Sequence, residues 1–146
     1  MTLSDILRAK GSSVFTIGPD ATLQEATQEL VRCNVGALVV CDRDLERGER
    51  LLGIITERDI TRVCAAGKAP LSAIRVRDVM TTRLLTGSPS DSVEATMGLM
   101  TSNRIRHVPV LSEGRMVGII SIGDVVKSQH DRLAMENQFM KNYITS

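Results

Sequence analysis

The sequence predicts an α+β fold in which one helix–strand–helix–strand–strand–helix unit is used twice and a further helix follows. Three observations carry this. The run Gly53-Ile54-Ile55-Thr56-Glu57-Arg58-Asp59 returns 65 residues later as Gly118-Ile119-Ile120-Ser121-Ile122-Gly123-Asp124. Most of what precedes the second copy repeats the first half at an offset of 70 residues. Helix-spaced and continuous apolar stretches also alternate in the same order in both halves. A repeat of this length means one supersecondary unit used twice, each half covering the other's apolar face.

The elements follow in order. Ser4 begins a short helix through Arg8, which Gly11 stops. Val14 to Ile17 is a short extended run closed by Gly18-Pro19. Thr22-Leu23-Gln24-Glu25 is a capping box, in which the hydroxyl and the carboxylate three residues later satisfy free amides. The helix it opens sets Leu23, Ala26, Leu30 and Val31 on one face and closes at Asn34 and Gly36. Ala37 to Cys41 is a buried strand, Asp42 to Arg50 a charged loop, and Leu51 to Ile55 a second strand. Asp59 to Ala66 is a helix ending at Gly67.

Lys68-Ala69-Pro70 breaks the pattern and marks the internal boundary. Val76 to Met80 then mirrors Leu3 to Leu7, Leu84 to Thr86 mirrors Val14 to Thr16, and the helix from Ser92 mirrors that from Thr22. Ile105 to Val110 mirrors Val35 to Val40. The predicted division is 1–69, 70–127 and a helical tail 128–146, whose Leu133, Met135, Phe139, Met140, Tyr143 and Ile144 need an apolar partner.

Composition narrows the function. Hydrophobic residues make up 42% of the chain, enough for a core, but the aromatics are only Phe15, Phe139 and Tyr143. A net charge of +1 with both signs mixed gives no footprint for nucleic acid and no platform for stacking bases. No apolar run is long enough to span a membrane, and Met1 to Lys10 does not read as a signal peptide. Cys33, Cys41 and Cys64 are odd in number and lack C-x-x-C spacing, so they read as buried free thiols in a reducing cytoplasm. Two dissimilar histidines make no metal cluster. A calcium loop from Asp42, Asp44 and Glu46 fails because Gly48 is displaced by one position and Arg43 and Arg47 add positive charge. No nucleophile has a credible base and orienting acid, so no catalytic residue is assigned.

The repeated motif places a hydroxyl and a carboxylate at each strand-to-helix junction. Thr56 with Asp59, and Ser121 with Asp124, fit a shortened capping box. They also fit a ligand site: a carboxylate accepts from both ribose hydroxyls, and the helix N-terminus favours phosphate. Matching copies in matching places favour the ligand site. Arg106 beside His107 reads as a phosphate contact. Lys10 and Lys127 read as solvated lysines, although both are long enough to meet a phosphate.

These residues resemble the CBS domain, named after cystathionine β-synthase, and the doubling over about residues 3 to 127 resembles a Bateman module. The ends Asp5-Ile6-Leu7-Arg8-Ala9-Lys10-Gly11 and Ser121-Ile122-Gly123-Asp124-Val125-Val126-Lys127 look most like stand-alone bacterial two-domain proteins. The resemblance implies two βαββα-type units packed through their sheets about a pseudo-two-fold axis. It also implies two shared clefts for adenosine compounds: AMP, ADP, ATP, S-adenosylmethionine or NAD/NADH. By position, one cleft would combine Thr56 and Asp59 with Thr86, Ile105, Arg106, His107 and Pro109. The other would combine Ser121 and Asp124 with Thr16, Val35, Gly36 and Ala37. No metal is required.

The expected function is a non-catalytic adenine-nucleotide sensor, a cytoplasmic homodimer read by another protein. The competing readings are a structural dimerisation module and an enzyme acting on the bound nucleotide. The clefts are also expected to differ: Arg106-His107 occupies the place that Gly36-Ala37 holds in the other half, so the Asp59 cleft should hold phosphate more tightly.

Overall fold

The computed structural model describes residues 1–11, 13–44 and 48–145. Its elements run α1 (Leu3–Lys10), β1 (Thr16–Ile17), α2 (Leu23–Cys33), β2 (Ala37–Asp44), β3 (Gly48–Thr56) and α3 (Glu57–Ala66). Single 3₁₀ turns at Leu71–Ala73 and Val76–Asp78 lead to α4 (Val93–Asn103), β4 (His107–Ser112), β5 (Arg115–Ser121) and α5 (Ile122–Thr145). Mixed helix and strand, with a sheet in each copy of the repeat, is the fold class the sequence predicts.

Two compact units form. One is continuous, Ser13–Leu84; the other joins Met1–Ser12 to Leu85–Ser146. This grouping by packing crosses the sequence repeat. The reason lies in the opening apolar residues of each half. Leu3, Ile6 and Leu7 are buried with Val93, Met100, Val108, Val110, Ile120 and Val125. Val76 is buried with Leu23, Ala26, Leu30, Leu38, Val40, Ile55 and Ile60. Each fully buried aliphatic side chain contributes roughly 1.5–3 kcal/mol, so the segments settle where those cores lack a wall.

In the continuous unit β1 pairs in parallel with β2, and β2 pairs antiparallel with β3. In the discontinuous unit β4 and β5 form an antiparallel pair, and Gly87 adds a parallel bridge to Val110. The expected strand at Leu84 to Thr86 is reduced to that bridge. Register shifts fall between Val40 and Cys41 in one hairpin and between Val110 and Leu111 in the other. The bulges therefore repeat with the sequence, and both leave a motif glycine opposite a buried valine: Gly53 against Val40, Gly118 against Val110.

Several local expectations change. Thr2, not Ser4, caps α1, through a box with Asp5. In α2, Leu23, Ala26 and Leu30 are buried but Val31 is 77% exposed, because one residue is a rotation of about 100° and carries it off the stripe. The charged run after Cys41 is largely strand: Asp42 pairs with Arg50 in register, and charge had disguised an extended hairpin as a loop. Glu46 of the rejected calcium loop lies outside the described residues. The tail from Ser128 is not a separate helix but the continuation of α5. Cys33 and Cys41 are half-buried and Cys64 is exposed, so the thiols are not uniformly buried. Asn34 and Arg104 end α2 and α4 in the left-handed region, at φ 54° each. Asn34 is a residue that tolerates this; at Arg104 the sequence carried no such signal. Among the described residues, no helix is long and apolar enough to cross a membrane.

Candidate ligand-binding site

Both motifs fold alike. β3 ends at Thr56, whose extended backbone caps α3. Thr56 Oγ1 accepts from the Asp59 amide at 3.2 Å, and Asp59 Oδ2 accepts from the Thr56 amide at 3.0 Å. In the second copy Ser121 Oγ accepts from the Asp124 amide at 3.1 Å, and Asp124 Oδ2 from the Ser121 amide at 2.8 Å. The capping reading is thus correct for both, and it does not compete with the ligand reading. A carboxylate has about four lone-pair directions, and the box uses one while fixing the group at the helix mouth. Asp59 and Asp124 are both half-buried.

The neighbours are set by strand pairing. In the continuous unit Ala37 lies opposite Thr56, and the Glu57 amide donates to Gly36 O at 3.0 Å. Val35 packs against that unit's core, and Thr16 pairs with Val39. In the discontinuous unit His107 lies opposite Ser121, and the Ile122 amide donates to Arg106 O at 2.8 Å. Ile105 packs on the core there, the Arg106 side chain is exposed, and Pro109 O accepts from the Gly87 amide beside exposed Thr86. Within a unit the structure therefore brings Thr56 and Asp59 to Gly36 and Ala37, and Ser121 and Asp124 to Arg106 and His107. The groupings implied by the resemblance draw on both units.

Sequence reasoning missed one residue. Lys10, the last residue of α1, is exposed but not free: its Nζ lies 2.6 Å from Asp124 Oδ2 and donates to Ile119 O at 2.8 Å. The partners are 114 residues apart, so no local pattern announced them. Burial alone would raise the Asp124 carboxyl, but the Lys10 ammonium and the Ser121 amide and hydroxyl hold it below the usual carboxylate range. Among the described residues Asp59 pairs with no cation. A cavity of about 190 Å³ adjoins Lys10 and Asp124, and Asp5, Lys127 and Asp131 also line it.

A fold of paired βαββα-type units, each ending in a hydroxyl–carboxylate box at a helix start, defines a CBS-domain protein. The CBS domain family matches residues 3–66 and 76–131, and this chain belongs to it. The mitochondrial CBS domain-containing protein CBSX3 of Arabidopsis thaliana is 38% identical over 98% of this chain and 71% of its own length. A CBS-domain containing protein from Agrobacterium tumefaciens superimposes with a TM-score of 0.82 at 40% identity, covering 88% of this chain and 99% of that one. The CBS domain pair of protein MJ0100, solved with methylthioadenosine and S-adenosyl-L-methionine, matches at a TM-score of 0.77 and 26% identity, over 90% of this chain and 98% of its own. Such pairs are regulatory modules that often bind adenosine ligands.

Proposed function

We propose that this chain is a non-catalytic sensor of an adenine nucleotide, AMP, ATP or NAD/NADH, with Asp59 and Asp124 as the ribose acceptors. The observation that carries this is the duplicated box: two carboxylates, each anchored at a helix N-terminus by one amide and each with acceptor capacity left for hydroxyl donors. The adenosine compounds bound by the MJ0100 pair support the ligand class. The companions are those the resemblance implies: Thr86, Ile105, Arg106, His107 and Pro109 for Asp59, and Thr16, Val35, Gly36 and Ala37 for Asp124. Binding transmits a signal only where the ligand prefers one of two states of the module. A thermal-shift panel of AMP, ATP, NAD, NADH and S-adenosylmethionine tests the reading. A true ligand at 100 times its Kd stabilises by about 2.7 kcal/mol. A flat response to all five would leave the structural dimerisation module as the better account.

The proposal includes a homodimer. Leu133, Met135, Phe139 and Met140 on α5 are each more than half exposed, an apolar surface beyond what a solvated helix ordinarily carries. Light scattering at micromolar concentration should give twice the chain mass, and Phe139→Glu should give the single mass. A monomeric wild type ends this part of the proposal. A dimer that survives Phe139→Glu moves the interface away from that side of α5.

A further inference from the structure

The geometry points to Lys10 as an internal competitor for the Asp124 site, one that admits phosphorylated nucleosides and holds back neutral ones. This rests on the nucleotide reading above and adds a selection rule to it. Asp124 Oδ2 already accepts from the Ser121 amide, and Lys10 Nζ stands on the same oxygen at 2.6 Å. With the Ser121 amide and the ammonium both on Oδ2, a ribose that sets one hydroxyl on each carboxylate oxygen must displace the ammonium to make the second bond. Lys10 is anchored at the end of α1, whose Leu3, Ile6 and Leu7 are in the core, and a second bond to Ile119 O directs its ammonium. The pair is therefore held from both sides.

The energetics separate two ligand classes. A neutral nucleoside that takes Asp124 displaces the ammonium from its anion and supplies no charge in exchange. A phosphate supplies a replacement anion, and an ammonium on a flexible four-carbon stem can turn to it. Asp5 and Asp131 line the adjoining cavity together with Lys127, so Lys10 adds to the positive charge that a phosphate meets there. The first motif has no such device: among the described residues Asp59 meets no cation, and Arg83, which follows Val76 to Met80 as Lys10 follows Leu3 to Leu7, makes no ion pair.

Calorimetry with adenosine and AMP on wild type, Lys10→Met, Lys10→Arg and Asp124→Ala decides it. In the binding phase that Asp124→Ala removes, Lys10→Met should tighten adenosine about tenfold or more, the scale of one hydrogen bond to a charged group. It should not tighten AMP, and Lys10→Arg should keep the wild-type preference. The Asp124 carboxyl, followed by carbon NMR, should move up toward the ordinary range in Lys10→Met, which shows that the pair exists in solution. An unchanged AMP-to-adenosine ratio in Lys10→Met, or an equal loss of both ligands, overturns the competitor and leaves the nucleotide reading intact. Absence of any Asp124-dependent phase in the wild type overturns the competitor, and only the further absence of an Asp59-dependent phase overturns the nucleotide reading as well.

Discussion

Asp59→Ala is expected to abolish the tighter phase of AMP or NAD binding, while Asp124→Ala leaves that phase in place. The two carboxylates are held by the same box, so the box does not separate them. Their surroundings do. Asp59 keeps its acceptor capacity, whereas Asp124 is already engaged by Lys10. In the grouping implied for Asp59, Arg106 adds a guanidinium that can hold phosphate oxygens in two bonds. Losing a hydrogen bond to a charged group costs about 1.5–3 kcal/mol, which is roughly 10- to 150-fold in affinity. Arg106→Ala should therefore weaken AMP by that factor and adenosine far less, and added salt should narrow the gap. The backbone of Arg106 accepts from Ile122, two residues before Asp124, so the experiment also assigns its side chain. An Arg106→Ala effect confined to the Asp124-dependent phase would reverse the assignment. Indifference of both phases to both aspartates would remove the nucleotide reading altogether.

What the sequence revealed and what it hid follow one physical line. Local chemistry was legible. The hydroxyl–carboxylate boxes, the helix from Leu23, Gly67 as a left-handed C-cap and the apolar strands all depend on residues a few positions apart. Effects of long sequence separation were not. Nothing near Leu3 or Lys10 says that α1 completes the core around Met100 and Val125, or that its last residue reaches Asp124. The charged strand ends at Asp42 and Arg50 were hidden for another reason. Strand propensity is read from apolar alternation, and a hairpin that runs past its core has none. The cap at Thr2 was missed because Ser4 offered a competing start to the same helix.

Gly53→Ala is expected to be among the most destabilising single-methyl changes in the chain, and worse than Gly118→Ala at the equivalent place. Both glycines open the repeated motif, and both are buried. Neither has a positive φ, so the requirement is space rather than backbone freedom. A Cβ on Gly53 would lie 2.6 Å from the Thr81 carbonyl oxygen. That oxygen accepts from the Ile54 amide at 3.0 Å, and the Thr81 amide donates to Ile54 O at 2.9 Å. Making room means moving backbone and stretching this bridge, so overpacking of about 1–3 kcal/mol adds to the loss of a hydrogen bond worth about 1 kcal/mol. A Cβ on Gly118 would lie 2.5 Å from Leu7 Cδ2, the far end of a side chain that can turn aside. Urea unfolding should place Gly53→Ala about 2–4 kcal/mol below wild type, with Gly118→Ala nearer the lower end of the overpacking range and the m-value unchanged in both. The cause can be checked separately. Leu7→Ala opens a cavity on its own, yet in combination with Gly118→Ala it should show a favourable coupling of about 1 kcal/mol. Met80→Ala should relieve Gly53→Ala only slightly, because the obstructing atom is the Thr81 carbonyl rather than the Met80 side chain beside it. Equal costs at the two glycines, or full relief of Gly53→Ala by Met80→Ala, would show that the first motif is limited by side-chain packing as the second is.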